Sequence, residues 1–292
     1  MKERIGWIGP GNMGGPMAER LSAAGYPVKI CGSGRRDLTE YATEIGAEAV
    51  GDIASLAAAS DVLFTMIPNG EILQNIGRQL SATNLEGKLW VDMSTVDPES
   101  STRAAAMVEA RGCHFLRAPV TGSVHYAKTG TLGILISGRD GDFQRALPML
   151  RILGNRQTWL GEQEEARQMK ILINMLLAQE LQAFSEVLVV GKRLGLPWET
   201  MIDLIANSAA GAPIFRYKAD TMKTLDFAPT STGYNMHKDM QMAMNLAQSV
   251  EASVPAAAVT MEMYDNLMSM GLSQKDNTAI YLVNEARNRR ER

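Results

Sequence analysis

Three glycines, Gly9, Gly11 and Gly14, punctuate the stretch GWIGPGNMGGPMAERL at residues 6–21 in the spacing G-x-G-x-x-G. Glycines so spaced can do one particular job. Gly9 supplies a tight turn, Gly11 lacks the side chain that would hold a pyrophosphate off the backbone, and Gly14 permits close helix–strand contact. Asn12 and Met13 lie between them, ahead of a helix through Met17, Ala18 and Leu21 whose unsatisfied N–H groups and positive dipole end favour an anion. The pattern recurs by chance, so it counts only between a strand and a helix of a βαβ unit. RIGWI before it and PVKIC after it supply strands in that order. At the end of the second strand, an Asp or Glu would accept from the adenosine 2′-hydroxyl of NAD. Here the sequence runs Gly32, Ser33, Gly34, Arg35, Arg36. Two guanidiniums with no carboxylate among them favour the 2′-phosphate of NADP, which Arg binds through paired, charge-assisted hydrogen bonds. NAD is the alternative, with both arginines then free on a helix start.

The elements that must position this turn are legible from periodicity. RIGWIG, YPVKICG, DVLFTMIP, KLWVDMST, CHFLRAP and GTLGILISG read as strands separated by amphipathic helical stretches, the signature of an α/β domain. Continuously apolar runs such as DVLFTMI suit parallel strands covered on both faces. Ile67 and Pro68 close one of these strands and Ser94 and Thr95 another, where cofactor contacts are expected. DGDFQRALPMLRIL reads as a helix with acidic residues at its positive end. Beyond Gly161 the texture changes: residues 164–195 form one long helical pattern stopped by Gly195 and Pro197, and helices follow at WETMIDLIANS, HKDMQMAMNLAQSV and PAAAVTMEMYDNLMSMG. The expected organisation is a Rossmann domain over 1–161, a long interdomain helix, and an all-α domain for substrate and oligomerisation over 162–292.

Composition narrows the function classes. A formal net charge of -3 and a pI near 5.8 leave no electrostatic footprint for nucleic acid, and the basic run RNRRER at 287–292 reads as a solvated helix end. The two cysteines, Cys31 and Cys113, have neither C-x-x-C partners nor nearby His pairs, so no disulfide framework and no metal site is expected. No signal peptide is recognised and no apolar run approaches the ~18 residues of a membrane span. A cytoplasmic enzyme without a membrane or nucleic-acid partner is the expectation.

Four segments read together, GWIGPGNMGGPMAERL, DMST, RAPVTGSVHYAKTGTL and QMKILIN, resemble the β-hydroxyacid dehydrogenase family, which includes 3-hydroxyisobutyrate dehydrogenase and tartronate semialdehyde reductase. The similarity runs along essentially the whole chain. It implies an NAD(P)-binding Rossmann domain, a long helix entering an all-α domain, an active site in the cleft between them, and a homodimer or homotetramer. The family's catalytic lysine falls on Lys170 and its asparagine on Asn174. Its substrate-binding Ser-Gly-Gly falls on Thr121, Gly122 and Ser123. The lysine of its C-terminal KD pair falls on Lys238, followed by Asp239, and is expected near both substrate and cofactor.

The chemistry asks for these residue types in its own right. Interconverting an alcohol and a carbonyl requires a group that exchanges the hydroxyl proton within hydrogen-bond reach of that oxygen. A desolvated lysine near another cation, here Lys238 or an oxidised nicotinamide, has its pKa lowered toward neutrality and can do so. Spacing of four puts Asn174 on the same helix face, able to orient the ammonium or the substrate hydroxyl. Thr121, Gly122 and Ser123 offer two hydroxyls and backbone N–H groups to a small carboxylate. His125, Tyr126, Tyr234 and His237 lie close by in sequence and could touch substrate or simply pack.

Three departures from the family pattern stand out. Arg117 replaces the Asp before APV, Ser123 replaces a glycine, and the Gly-x-Gly upstream of the lysine reads Glu164, Glu165, Ala166. The expected reaction is hydride transfer between NAD(P) and a short β-hydroxy acid or its semialdehyde. The competing readings are an NADPH-dependent imine reductase, a group that generally lacks the lysine, and a non-catalytic dinucleotide-sensing protein.

Overall fold

The structure is a computed structural model that describes residues 2–33 and 37–288. Two compact units divide at Lys170/Ile171. The first contains β1 (Ile5–Ile8), α1 (Gly14–Ala23), β2 (Val28–Cys31), α2 (Thr39–Glu44), β3 (Glu48–Ala49), α3 (Ile53–Ala59), β4 (Val62–Thr65), α4 (Gly70–Ser81), β5 (Leu89–Asp92) and α5 (Pro98–Glu109). It continues through β6 (His114–Arg117), β7 (Val120–Thr121), α6 (Val124–Thr129), β8 (Leu132–Ser137), α7 (Asp140–Leu153), β9 (Gly154–Gly161) and the start of α8 (Glu165–Arg193).

The strand order is β3-β2-β1-β4-β5-β6-β8-β7, with β9 on the far side of β8. β3 through β6 run parallel in the doubly wound order, which places a ligand crevice beyond the carboxyl ends where the order reverses between β1 and β4. β1, β4 and β5 are buried at every position, as expected for strands covered on both faces. Alternate side chains fill two separate cores, and an aromatic pair anchors each. Trp7 stacks on Phe64 with centroids 5.3 Å apart, and on the other face Trp90 meets Phe115 edge-on at 4.9 Å.

The register lines up the carboxyl ends: Ile8 pairs with Thr65, Thr65 with Asp92, Asp92 with Arg117, and Arg117 with Ser137. Polar side chains therefore form one row along the sheet edge. Helices α3, α4 and α5 open on Asp52, Asn69 and Asp97, whose side chains accept from backbone N–H groups three residues on at 2.7, 3.0 and 2.7 Å.

The second unit contains the remainder of α8, then α9 (Trp198–Ala206), α10 (Pro213–Thr224), α11 (Gly233–Ser249), α12 (Pro255–Ser269), a 3₁₀ turn at Asn277–Ala279 and α13 (Ile280–Arg287). Ala178, Leu181, Phe184 and Leu188 of α8 face its core, where Phe184 stacks on Phe215. A buried ion pair, Lys218 Nζ to Asp276 Oδ2 at 2.7 Å, joins α10 to the 3₁₀ turn.

Periodicity did not reveal β3, β7, β9, α10 or α13. β9, GNRQTWLG, is largely exposed and carries no apolar alternation; its pairing to β8 makes it a strand. The division between units falls within α8, not at the loop after Gly161. One expectation is corrected: by length and mean hydropathy, 1.2 over its most apolar window, α8 is apolar enough to cross a membrane. Of that window, 44% is buried within the protein. Arg35 and Arg36, and residues 289–292 of the basic run, lie outside the described residues.

Candidate active site

The glycine turn leaves β1 as the motif requires. Gly9 has φ +86°, and a Cβ there would fall 2.4 Å from the Met66 carbonyl oxygen. Around Gly11 nothing lies within 4 Å of the place a Cβ would take, so the backbone is open to a ligand. At Gly14 a Cβ would meet Gly9 O at 2.2 Å and Trp7 Nε1 at 2.8 Å, the close packing expected of the third glycine. Helix α1 begins here behind Met13, and no side chain caps its first N–H groups. The open Gly11 face and the uncapped helix end fit a dinucleotide pyrophosphate.

A cavity of about 260 Å³ opens beyond β2, lined by Gly32, Asp37, Leu38, Thr39, Ala49, Val50 and Gly51. Asp37 is a carboxylate that lies just past the stretch Gly32–Arg36. Its Oδ1 accepts from Thr39 N at 2.9 Å and Thr39 Oγ1 at 2.7 Å, and these hydrogen bonds hold it below the usual carboxylate range. Ser33 is exposed beside this cavity's Gly32.

Ile67 and Pro68 follow β4, and Ser94 and Thr95 follow β5. The Ile67 N–H donates to Ser94 Oγ at 2.9 Å, and Ser94 Oγ donates to Asp92 Oδ1 at 2.7 Å. Ser94 is fully buried, and its hydroxyl ties two strand ends together. Asp92 also receives Thr65 Oγ1, which in turn accepts from Trp90 Nε1 at 3.0 Å.

Thr121 ends β7, and Gly122 adopts φ +129° before α6. Ser123 stands at the amino end of α6 without capping it, and its hydroxyl is enclosed and unpartnered. An enclosed hydroxyl without a partner costs about 1–3 kcal/mol, which a ligand oxygen would relieve. His125 and Tyr126 stack edge to face at 5.7 Å on the exposed side of α6.

Lys170 lies in the second turn of α8 and is only 9% exposed. Asn174 follows one turn later. Its Nδ2 donates to Asp239 Oδ2 on α11 at 2.6 Å, and Lys238 Nζ lies 3.2 Å from Asp239 Oδ1. Asp239 thus hydrogen-bonds Asn174 and lies at ion-pair distance from Lys238. The KD dipeptide was the only signal for it, because the contact depends on how α8 and α11 pack. His237 Nε2 is 2.8 Å from Asp265 on α12, and Tyr234 is exposed.

Residues 4–161 match the family described as the NAD binding domain of 6-phosphogluconate dehydrogenase, and residues 165–283 the family described as NAD-binding of NADP-dependent 3-hydroxyisobutyrate dehydrogenase. The chain is 30% identical to glyoxylate/succinic semialdehyde reductase 2, chloroplastic, of Arabidopsis thaliana, over 98% of this chain and 81% of that one. It is 30% identical to 2-(hydroxymethyl)glutarate dehydrogenase of Eubacterium barkeri, over 96% and 94%. The structure of 3-hydroxyisobutyrate dehydrogenase of Mycobacterium tuberculosis with L-serine superposes with TM-score 0.86 at 25% identity, covering 97% of this chain and 99% of that one.

Proposed function

The chain belongs to the β-hydroxyacid dehydrogenase family of NAD(P)-dependent oxidoreductases acting on CH–OH groups, and we propose that it interconverts a short β-hydroxy acid and its semialdehyde with Lys170 as general acid and base. The observation that carries this reading is the buried Lys170 amine, one helical turn ahead of Asn174.

The bound dinucleotide supplies the hydride acceptor or donor. Gly9, Gly11, Asn12, Met13 and Gly14 would hold its pyrophosphate, and Ile67, Pro68, Ser94 and Thr95 would shape the strand ends beside it. Ser33, Arg35 and Arg36 favour NADP over NAD through the 2′-phosphate. Asp37 lines the neighbouring cavity with one oxygen already committed to Thr39. In oxidation, the neutral Lys170 amine takes the substrate hydroxyl proton as the carbon is oxidised, and in reduction the ammonium returns it. Thr121, Gly122 and Ser123 would bind the substrate carboxylate, with the unpartnered Ser123 hydroxyl as a ready donor, and the family resemblance adds Lys238 as a substrate-binding candidate.

Leu176, Val187 and Val190 of α8 are each at least half exposed, which supports self-association as a homodimer or homotetramer. Both cysteines are buried and free, in keeping with a cytoplasmic location.

Turnover of short 3-hydroxy acids and semialdehydes, assayed with NAD(H) and NADP(H) beside cyclic imines, tests the reading. Reduction of a semialdehyde acid with NADPH preferred is the expected result; turnover confined to imines overturns it.

A further inference from the structure

Two of the positions that depart from the family pattern touch each other. Arg117, at the carboxyl end of β6, donates from Nε to Glu164 Oε1 at 2.7 Å, and the two side chains are 6% and 11% exposed. Thr102 Oγ1 donates to the same oxygen at 3.2 Å. The other carboxylate oxygen, Glu164 Oε2, lies 3.6 Å from Arg167 Nε, an ion-pair separation longer than a hydrogen bond. Arg167, in the first turn of α8, then reaches the strand ends. Its Nη2 donates to Asp92 Oδ2 at 2.6 Å and its Nη1 to the Ser94 carbonyl oxygen at 2.9 Å, with Arg167 and Asp92 side chains 1% and 0% exposed.

Four buried charges thus alternate, Arg117, Glu164, Arg167, Asp92, and sum to zero. Such a chain contributes little net stability, because the cost of removing the ions from water offsets most of their attraction. What it contributes is geometry: the Arg167 guanidinium forks between Asp92 Oδ2 and the Ser94 carbonyl oxygen, and a single hydrogen bond fixes Arg117 on Glu164. Two of its members are informative. Asp92, at one end, receives Ser94 Oγ, and Ser94 Oγ receives the Ile67 N–H, at the strand termini where the cofactor contacts are expected. Its neighbour Arg167 precedes Lys170 by three residues, one turn back on the same helix face. Where the family pattern has two glycines for close backbone approach, this chain has Glu164 and Ala166, and side-chain charge takes over the attachment.

We propose that the Asp92–Arg167–Glu164–Arg117 chain is the positioning device of Lys170. It pins the first turn of α8 to the strand ends beside the cofactor, and so sets the reach of the amine to the reacting oxygen. The four are positioning residues and exchange no proton with substrate. The inference rests on the reading of Lys170 as acid and base.

The test uses the full chain with the variants Arg167→Gln, Arg167→Lys and the double variant Arg117→Gln/Glu164→Gln, beside Lys170→Ala. Three quantities are read: kcat and KM for a short semialdehyde acid, the Kd of NADPH by fluorescence, and amide exchange across residues 165–170. In Arg167→Gln, kcat is expected to fall about 100-fold, the loss typical of a reacting group displaced by about 1 Å, with KM and cofactor Kd within about threefold of wild type. Exchange in the first turn of α8 rises about tenfold or more. Arg167→Lys keeps the charge without the fork and recovers part of kcat. The double variant, which leaves no unpaired charge, covers the case in which Arg167→Gln does not fold and is expected to lose about tenfold in kcat.

Folded variants with wild-type kcat, or with unchanged exchange at residues 165–170, overturn the proposal. So does a loss of NADPH affinity as large as the loss of kcat, which would place the chain in the dinucleotide site. If Lys170→Ala abolishes turnover while Arg167→Gln and the double variant keep it, only this proposal falls. Full turnover in Lys170→Ala removes the acid–base reading and this proposal together.

Discussion

Asn174 on α8 and Asp239 on α11 are joined by a hydrogen bond of 2.6 Å from Nδ2 to Oδ2, and both side chains are buried. The carboxylate fixes which way the Asn174 amide faces and lies beside Lys238 as well. Replacing it therefore has a predictable consequence. Asp239→Ala should cost about 1.5–3 kcal/mol in urea unfolding, the scale of a hydrogen bond to a charged group. It should also lower kcat, and Asp239→Asn, which keeps an acceptor oxygen in place, should recover much of both.

Lys170 is expected to carry the proton. Lys170→Ala should lower kcat by about 10²–10⁴-fold, the usual contribution of a positioned general acid or base. NADPH binding, followed by fluorescence titration, should remain close to wild type. A variant that loses cofactor affinity in the same proportion would assign the amine to cofactor binding instead.

The second and third glycines of the turn should respond in opposite ways. Gly11 has open space where a Cβ would go, so Gly11→Ala should leave the melting temperature near wild type and weaken dinucleotide binding. A Cβ at Gly14 would fall 2.2 Å from Gly9 O, and Gly14→Ala should lower the melting temperature by several degrees, a destabilisation of about 1–3 kcal/mol. Calorimetry with and without NADPH separates the two effects.

Asp276 should make the second unit sensitive to acid. Burial alone would raise its pKa, but the Lys218 charge outweighs that together with hydrogen bonds from Lys218, Thr278 and Thr230, and the net shift is downward. A lowered carboxylate pKa contributes stability that is fully present above the unfolded value of about 4 and lost as pH falls through the folded value. Urea midpoints measured from pH 6 down to pH 3 should fall for the wild type. In Asp276→Asn, stability should be lower at pH 6 and the decline with acid shallower.

Much of the first unit was legible because its physics is local. Strands buried on both faces are apolar for most of their length, and β1, β4, β5 and β8 announce themselves that way, while β2 and β6 keep shorter apolar runs. The glycine turn was legible for a similar reason, since each glycine is required by its own backbone or by atoms a few residues away. β9 and α10 lacked such local marks, and neighbours supplied their definition.

By itself, the amino-acid order determined most strands of the first unit and the dinucleotide turn, because periodicity and spacing are properties of contiguous chain, while the family resemblance supplied the candidates Lys170, Asn174 and Thr121 to Ser123. Tertiary structure alone decided that Ser94 is enclosed, that Asp239 holds Asn174, and that Arg117 meets Glu164 while Arg167 meets Asp92. The physical reason is separation. Arg117 and Glu164, or Arg167 and Asp92, are far apart along the chain, and only the sheet register and the path of α8 bring their charges within hydrogen-bonding distance.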